Sequence, residues 1–322
     1  MSKRVLPMLL LLCAVFTRAQ EQSYLLVLNK AENSLAVLDG RDYRVVARIT
    51  VGEGPHEVIA SADGRFAYVS NYGTAQVLGS SLSVIDLAAK KEARRVDLGA
   101  LRRPHGLVEI NGKILFTCEV NRVIARYDPA ADKVDWVMGA GQDATHMIVG
   151  NAEQRKVFTT NIRSGTVTAL DFNANNTTLT QIGVGDQPEG LDITPDGKEV
   201  WVAHRGAGDI SVIDATAKKV SETIKAPGDL YRVKFTPDGG RALITDPQAG
   251  ELIVIETATR KEIKRIPIEG APAGITTSAD GKRAFVTAVQ ANGVAVIDLE
   301  ALRVTTKVET GKGPDGLAWV GH

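Results

Sequence analysis

The sequence predicts an all-β fold, a seven-bladed β-propeller with four antiparallel strands per blade, and three observations predict it. An apolar run ending in an acidic residue recurs at Asp39, Asp86, Asp128, Asp171, Asp214, Glu256 and Asp298, at intervals of 47, 42, 43, 43, 42 and 42 residues. Reversals of the Asp-Gly or Asn-Gly type recur inside the repeat, at Asp63-Gly64, Asn111-Gly112, Asp196-Gly197, Asp238-Gly239 and Asp280-Gly281. Such pairs tolerate the positive φ angles of hairpin turns. Finally, the two ends carry complementary fragments of one unit: Gly313 to Val320 reads as a first strand alone, and Tyr24 to Asn29 as a second strand. A period of this length built from short strands is the mark of a propeller.

The elements of each unit follow in order. A turn led by Pro (Pro55, Pro104, Pro188, Pro272, Pro314) opens the first strand, the Asp-Gly or Asn-Gly pair reverses it, and a second strand such as Phe66 to Asn71 returns. The third strand ends in the acidic residue, and a fourth, such as Val220 to Lys225, completes the unit. The terminal fragments together make the seventh blade, with the C-terminal strand innermost. Closing the ring this way leaves no unpaired terminal blade. An open solenoid would need capping repeats, which the sequence does not show.

The first residues read differently. Lys3 and Arg4 precede an apolar run from Val5 to Phe16 and a Thr17-Arg18-Ala19 segment, the pattern of a secretory leader cut after Ala19. Residues 1–19 are thus expected to be a signal peptide and 20–322 a single propeller domain, periplasmic or secreted and monomeric. The run is shorter than the roughly 20 residues a spanning helix needs, so no membrane span is expected. Cleavage would remove Cys13 and leave Cys118 alone, so no internal disulfide is expected and Cys118 reads as a small buried residue. Thirty-eight basic residues balance 38 acidic ones, so no global field recruits nucleic acid or an anionic membrane.

Tyr68-Val69-Ser70-Asn71 followed by Ser83-Val84-Ile85-Asp86, with Gly-x-x-Pro-x-Gly-[Leu/Ile] turns, resembles the YVTN-repeat seven-bladed propellers of exported bacterial proteins. The resemblance spans residues 23 to 320. It implies the fold and leaves function open, because such propellers serve as lactonases, lyases, cofactor-binding proteins and surface-layer modules.

Function is therefore sought where repeats differ. The residue after the Pro position is His56, His105, His146, Glu189, Tyr231, Ala273 and Asp315 around the ring, and the residue ending strand two is Asn71, Glu119, Asn161, His204, Asp246, Ala288 and Asn29. Both sets are expected near one mouth of the central channel, and together they hold four of the five histidines. His56, His105 and His146 fall in consecutive blades, and Glu119 follows His105 across one hairpin. Imidazoles with a carboxylate suit a divalent ion, magnesium or zinc, or acid–base chemistry with a histidine as base. A solvated polar ring capping the channel is the competing structural reading.

The trio Pro104-His105-Gly106, Glu119 and His56 also resembles the site of streptogramin lyases. That resemblance implies a metal held by Glu119 and a proton removed by His105 in an elimination, although Arg103 stands where a second acidic residue belongs. Arg103, Arg122, Arg163, Arg205 and Arg232 adjoin the ring positions and, with Tyr231, form a candidate anion site. Ala273 and Ala288 leave blade six apolar. Blade one is longer between Asn71 and Asp86 than other units, so Tyr72 to Ser80 reads as an extra loop, either a cover or a tolerated insertion. Three functions remain open: a metal-assisted lyase or lactonase, a binder of a metal, haem-like cofactor or small anionic ligand, and a scaffold for another exported protein. The haem-like option is by analogy with the d-type haem propellers of nitrite respiration.

Overall fold

The computed structural model describes residues 23–151, 153, 155–172 and 177–321. The expected leader and its cut after Ala19 lie outside them, as does His322. The described chain forms seven four-stranded antiparallel sheets. Blade one comprises Pro55–Ala60, Phe66–Gly73, Leu78–Asp86 and Lys91–Asp97, and the next five blades repeat this order along the chain. The seventh is ordered Pro314–Val320, Tyr24–Asn29, Ser34–Asp39, Val45–Thr50. The C-terminal strand is innermost, as the terminal fragments predict.

Each layer's composition follows from its place in the blade. Second and third strands lie between neighbouring blades, so they are apolar on both faces: Tyr24–Asn29 is buried at every position, and Trp201, Phe116, Phe158 and Phe285 are fully buried on second strands. Fourth strands face solvent on one side and read as alternations such as Lys219–Lys225. Cys118 is buried among Phe116, Leu107 and Tyr68.

A belt of hydroxyls joins blade to blade around the channel. Thr117 Oγ1 accepts from Gly106 N at 3.0 Å and donates to the His146 carbonyl of the next blade at 2.5 Å. Thr160, Thr245 and Thr287 do the same toward the carbonyls of Glu189, Ala273 and Asp315, at 2.8, 2.9 and 3.0 Å. Inner strands also approach closely: a Cβ on Gly274 would lie 2.2 Å from the Asp315 carbonyl oxygen, so only glycine fits. Glycine fills this position in Gly106, Gly190, Gly274 and Gly316, whereas blades one, three and five place Glu57, Met147 and Arg232 there.

Two expectations are corrected. Tyr72 to Ser80 is no loop but an extension of the hairpin, with strands running to Gly73 and from Leu78, and Gly73 paired with Leu78. Blade two is also read one residue out of register. Its reversal at Asn111-Gly112 is tight, Ile110 pairing with Lys113, so Cys118 pairs with Pro104 where Asn71, Asn161 and His204 pair with Pro55, Thr145 and Pro188. Glu119 therefore falls one position beyond strand two, equivalent to Tyr72 of blade one.

Candidate functional site

The first strands deliver their leading side chains to one end of the channel, and the hydroxyl belt holds the backbone beneath several of them. His56, His105 and His146 form a continuous stack there. The His56 and His105 ring centroids are 4.1 Å apart and those of His105 and His146 are 3.7 Å apart. The extra residue past strand two turns Glu119 toward them. Its Oε1 lies 2.5 Å from His146 Nδ1, and Glu189 Oε1 lies 2.8 Å from His146 Nε2. Asp315 Oδ2 is 3.4 Å and Glu57 Oε1 3.6 Å from His56 Nδ1. The two hydrogen bonds of His146, the longer carboxylate contacts of His56 and the ring stack make one buried cluster.

His105 stands apart within it. The residue is 0% exposed, and neither ring nitrogen has a hydrogen-bond partner. A buried polar atom left so is costly, about 1–3 kcal/mol each, and calls for an explanation. Burial, reinforced by the charges of His146 and His56, holds His105 well below the ordinary imidazole range. Burial also opposes charge on His146, but Glu189 and Glu119 outweigh it and lift that ring to about 9. Against its own burial, Glu189 is drawn down to about 2 by His146 and Arg232. Two trios, His56–Glu57–His105 and His105–Glu119–His146, bring their ligand atoms within 4.8 Å of one another.

Tyr72, carried on the extended hairpin, covers the stack. Its ring meets those of His56 and His105 edge-on at 5.3 Å, and its hydroxyl donates to Glu119 Oε2. Arg103 Nη1 donates to the Tyr72 oxygen at 2.8 Å, and Arg103 Nη2 to the Thr74 carbonyl at 3.0 Å. Burial and Glu119 push the Tyr72 phenol up to about 12, so it remains a donor at neutral pH.

Beneath the histidines a bridge crosses the channel. Arg232 Nη2 reaches Glu57 Oε1 at 2.8 Å, and Nη1 reaches Glu189 Oε1 at 3.2 Å. Burial works against the Glu57 charge, but Arg232 and His56 hold its carboxyl at about 2. On the far side of the bridge lies a cavity of about 650 Å³ lined largely by Ile59, Val108, Val149, Ile193, Phe235 and Ile275. Its walls are mainly apolar, with Glu109, Asp192 and Lys234 among them, and none of the histidines lines it.

Other expected site residues sit elsewhere. His204 is not at the cluster: it turns into its own blade, with Nδ1 2.8 Å from the Asp186 carbonyl and Nε2 3.0 Å from Ser211 Oγ. Asp246 likewise accepts from the Gln248 and Ala249 amides at 3.1 and 2.9 Å. The physical reason is the pleat: the last residue of strand two faces its neighbouring strand, as Asn71 does toward Ser81 and Ser83. Tyr231 does reach the mouth, with the Arg232 guanidinium 4.3 Å and that of Arg205 5.5 Å from its ring centroid. Arg205 pairs with Asp229 at 2.8 Å and Arg122 with Asp143 at 2.6 Å, so with Arg232 also paired these three guanidiniums already have protein partners. Glu57, Tyr72 and Lys30, which bonds Asp315 at 3.2 Å, complete the cluster without having been expected in it. For Glu57 a signal existed, an acid in a repeat position that four of the seven blades fill with glycine.

The sequence profile of the choice-of-anchor I domain family matches residues 137–312. No curated protein matches the sequence. Among solved structures, a functionally unknown protein from Desulfotomaculum acetoxidans DSM 771 superposes with a TM-score of 0.79 at 12% identity, over 92% of this chain and 98% of its own. A protein of Bacteroides uniformis ATCC 8492 provisionally called a 6-phosphogluconolactonase gives 0.77 at 13% identity, over 94% and 100%. Dihydro-haem d1 dehydrogenase NirN, solved in complex with DHE, gives 0.65 at 16% identity, over 92% and 74%. At these identities the likeness is one of fold.

Proposed function

The chain belongs to the choice-of-anchor I domain family, and from that premise we propose that it is an exported β-propeller that binds a divalent metal ion at the histidine–carboxylate cluster of its channel mouth. The family's description and the leader read from residues 1–19 support export, with residues 20–322 as one propeller domain of the YVTN type. No helix among the described residues is long and apolar enough to cross a membrane.

The observation that carries the reading is His105, fully buried with both nitrogens unpartnered, between two other imidazoles and beside Glu119. A neutral imidazole presents a lone pair on one nitrogen, which is what a metal takes. His105, His146 and Glu119 would hold the ion, and the mix of imidazole and carboxylate suits zinc better than magnesium, which prefers oxygen ligands alone. Bound there, a divalent ion supplies Lewis acidity and balances the buried carboxylates. His146 would release its proton to solvent on binding. A haem-like cofactor fits less well, because His105 offers no exposed ring edge and is stacked on both sides.

The resemblance to streptogramin lyases points at the same His56, His105 and Glu119. Turnover would ask His105 to reach a substrate proton, and its burial under Tyr72 favours binding over elimination or lactone hydrolysis. The test is zinc titration of metal-free protein by calorimetry, with elemental analysis after dialysis. Tight uptake in the wild type and its loss in His105→Ala are expected. No uptake at all would leave the scaffold role, with another exported protein as partner.

A further inference from the structure

The geometry points to a second divalent site in the same cluster, made by His56, Glu57 and His105, so that the His105 ring bridges two ions. This rests on the reading just given and extends it. Both ring nitrogens of His105 lack partners, whereas one metal would occupy only one of them. His56 Nδ1 is likewise buried without a hydrogen bond, since Asp315 and Glu57 lie beyond good hydrogen-bonding reach at 3.4 and 3.6 Å. The ligand atoms of each trio lie within 4.8 Å of one another, and around a tetrahedral ion with bonds near 2.0–2.1 Å they would be about 3.4 Å apart. Side-chain rotation that shortens these separations would close both trios.

Charge is consistent with two ions. Glu57, Glu119, Glu189 and Asp315 supply four negative charges, and an imidazolate at His105 a fifth. Two divalent ions and the Arg232 guanidinium supply five positive ones. Lys30, now on Asp315, has a side chain 36% exposed and can swing into solvent. Arg103 contacts Tyr72 and Thr74 in place of these carboxylates. In forming the bridge the His105 N–H bond breaks, its proton goes to bulk water, and both nitrogen lone pairs then bind metal.

The experiment loads metal-free full-length protein with Zn²⁺ and counts ions per chain by elemental analysis, then repeats the loading with Cu²⁺ and records electron paramagnetic resonance. Two zinc ions in the wild type, one in Glu57→Gln and none in His105→Ala are expected. His56→Asn, which leaves the Glu57–Arg232 contact in place, should also retain one and serves if Glu57→Gln does not fold. Circular dichroism checks each fold. The doubly copper-loaded protein should show magnetically coupled ions, and two uncoupled signals would overturn the bridge. One zinc in the wild type, unchanged in Glu57→Gln and His56→Asn, would overturn the second site while leaving the single-metal reading intact. No zinc in the wild type would overturn both.

Discussion

Glu57 and Arg232 stand in blades one and five where four other blades have glycine, and their side chains meet across the channel at 2.8 Å. Removing one partner of a buried pair leaves the other uncompensated, at a cost of about 3–5 kcal/mol. Glu189 still holds Arg232, so Glu57→Gln should cost toward the lower end, read as a fall in the midpoint of chemical denaturation. The pH dependence has a definite sign. The folded Glu57 carboxyl sits at about 2, below the ordinary 4.5, so its contribution is complete above about pH 4.5 and is lost as pH falls toward 2. Melting temperatures of wild type and Glu57→Gln should therefore differ at pH 6 and converge toward pH 2; a gap that stays constant would mean Glu57 is not charged in the folded protein. The sequence carries a signal for this pair, opposite charges at a repeat position that four blades fill with glycine, but repeat comparison at the neighbouring positions passes over it. The unpartnered nitrogens of His105 leave no such signal, since they depend on how three rings stack.

At the scale of single elements, two hairpins decide what the mouth contains. The reversal at Asn111-Gly112 is short enough that Glu119 passes the end of strand two and faces the histidines, while Cys118 takes the interior place. Repeat spacing hides this, because Glu119 and Asn71 align by eye when the shorter turn goes uncounted. His204 and Asp246 were expected at the mouth for the same reason, position in a repeat being taken for direction, and the pleat sends them inward. The blade-one hairpin instead extends and brings Tyr72 over the stack, a contact no periodicity predicts. Tyr72 gives a hydrogen bond to Glu119 and accepts one from Arg103, and bonds to charged groups are worth about 1.5–3 kcal/mol each. Losing one of them should speed access at least about tenfold. In Tyr72→Ala, zinc transfer to a chromophoric chelator, followed by stopped flow, should accelerate by that factor with stoichiometry unchanged; an unchanged rate would show that Tyr72 does not cover the route.

At the scale of the whole molecule, ring closure and the site share residues. The last strand, Pro314–Val320, pairs with Tyr24–Asn29 and brings Asp315 to His56, while the segment after Asn29 brings Lys30 to Asp315. That strand also buries Leu317 and Val320, worth about 1.5–3 kcal/mol apiece, beside its backbone pairing. A domain's net stability is only about 5–15 kcal/mol, so a chain ending at Gly313 should lose its cooperative melting transition. If zinc binds the closed ring as proposed, it stabilises closure, by about 2.7 kcal/mol at a free concentration a hundred times the Kd. It should raise the wild-type Tm by a few degrees and should not rescue the truncated chain, which lacks both the closing strand and Asp315. Asp315→Asn separates the two contributions. With its strand intact it should melt cooperatively near the wild-type temperature without metal, yet gain less from zinc, because the carboxylate nearest His56 has lost its charge. Scanning calorimetry of the three chains, with and without zinc, measures this directly, and an equal zinc-induced rise in wild type and Asp315→Asn would show that the closing strand contributes its pairing to the fold but no charge to the site.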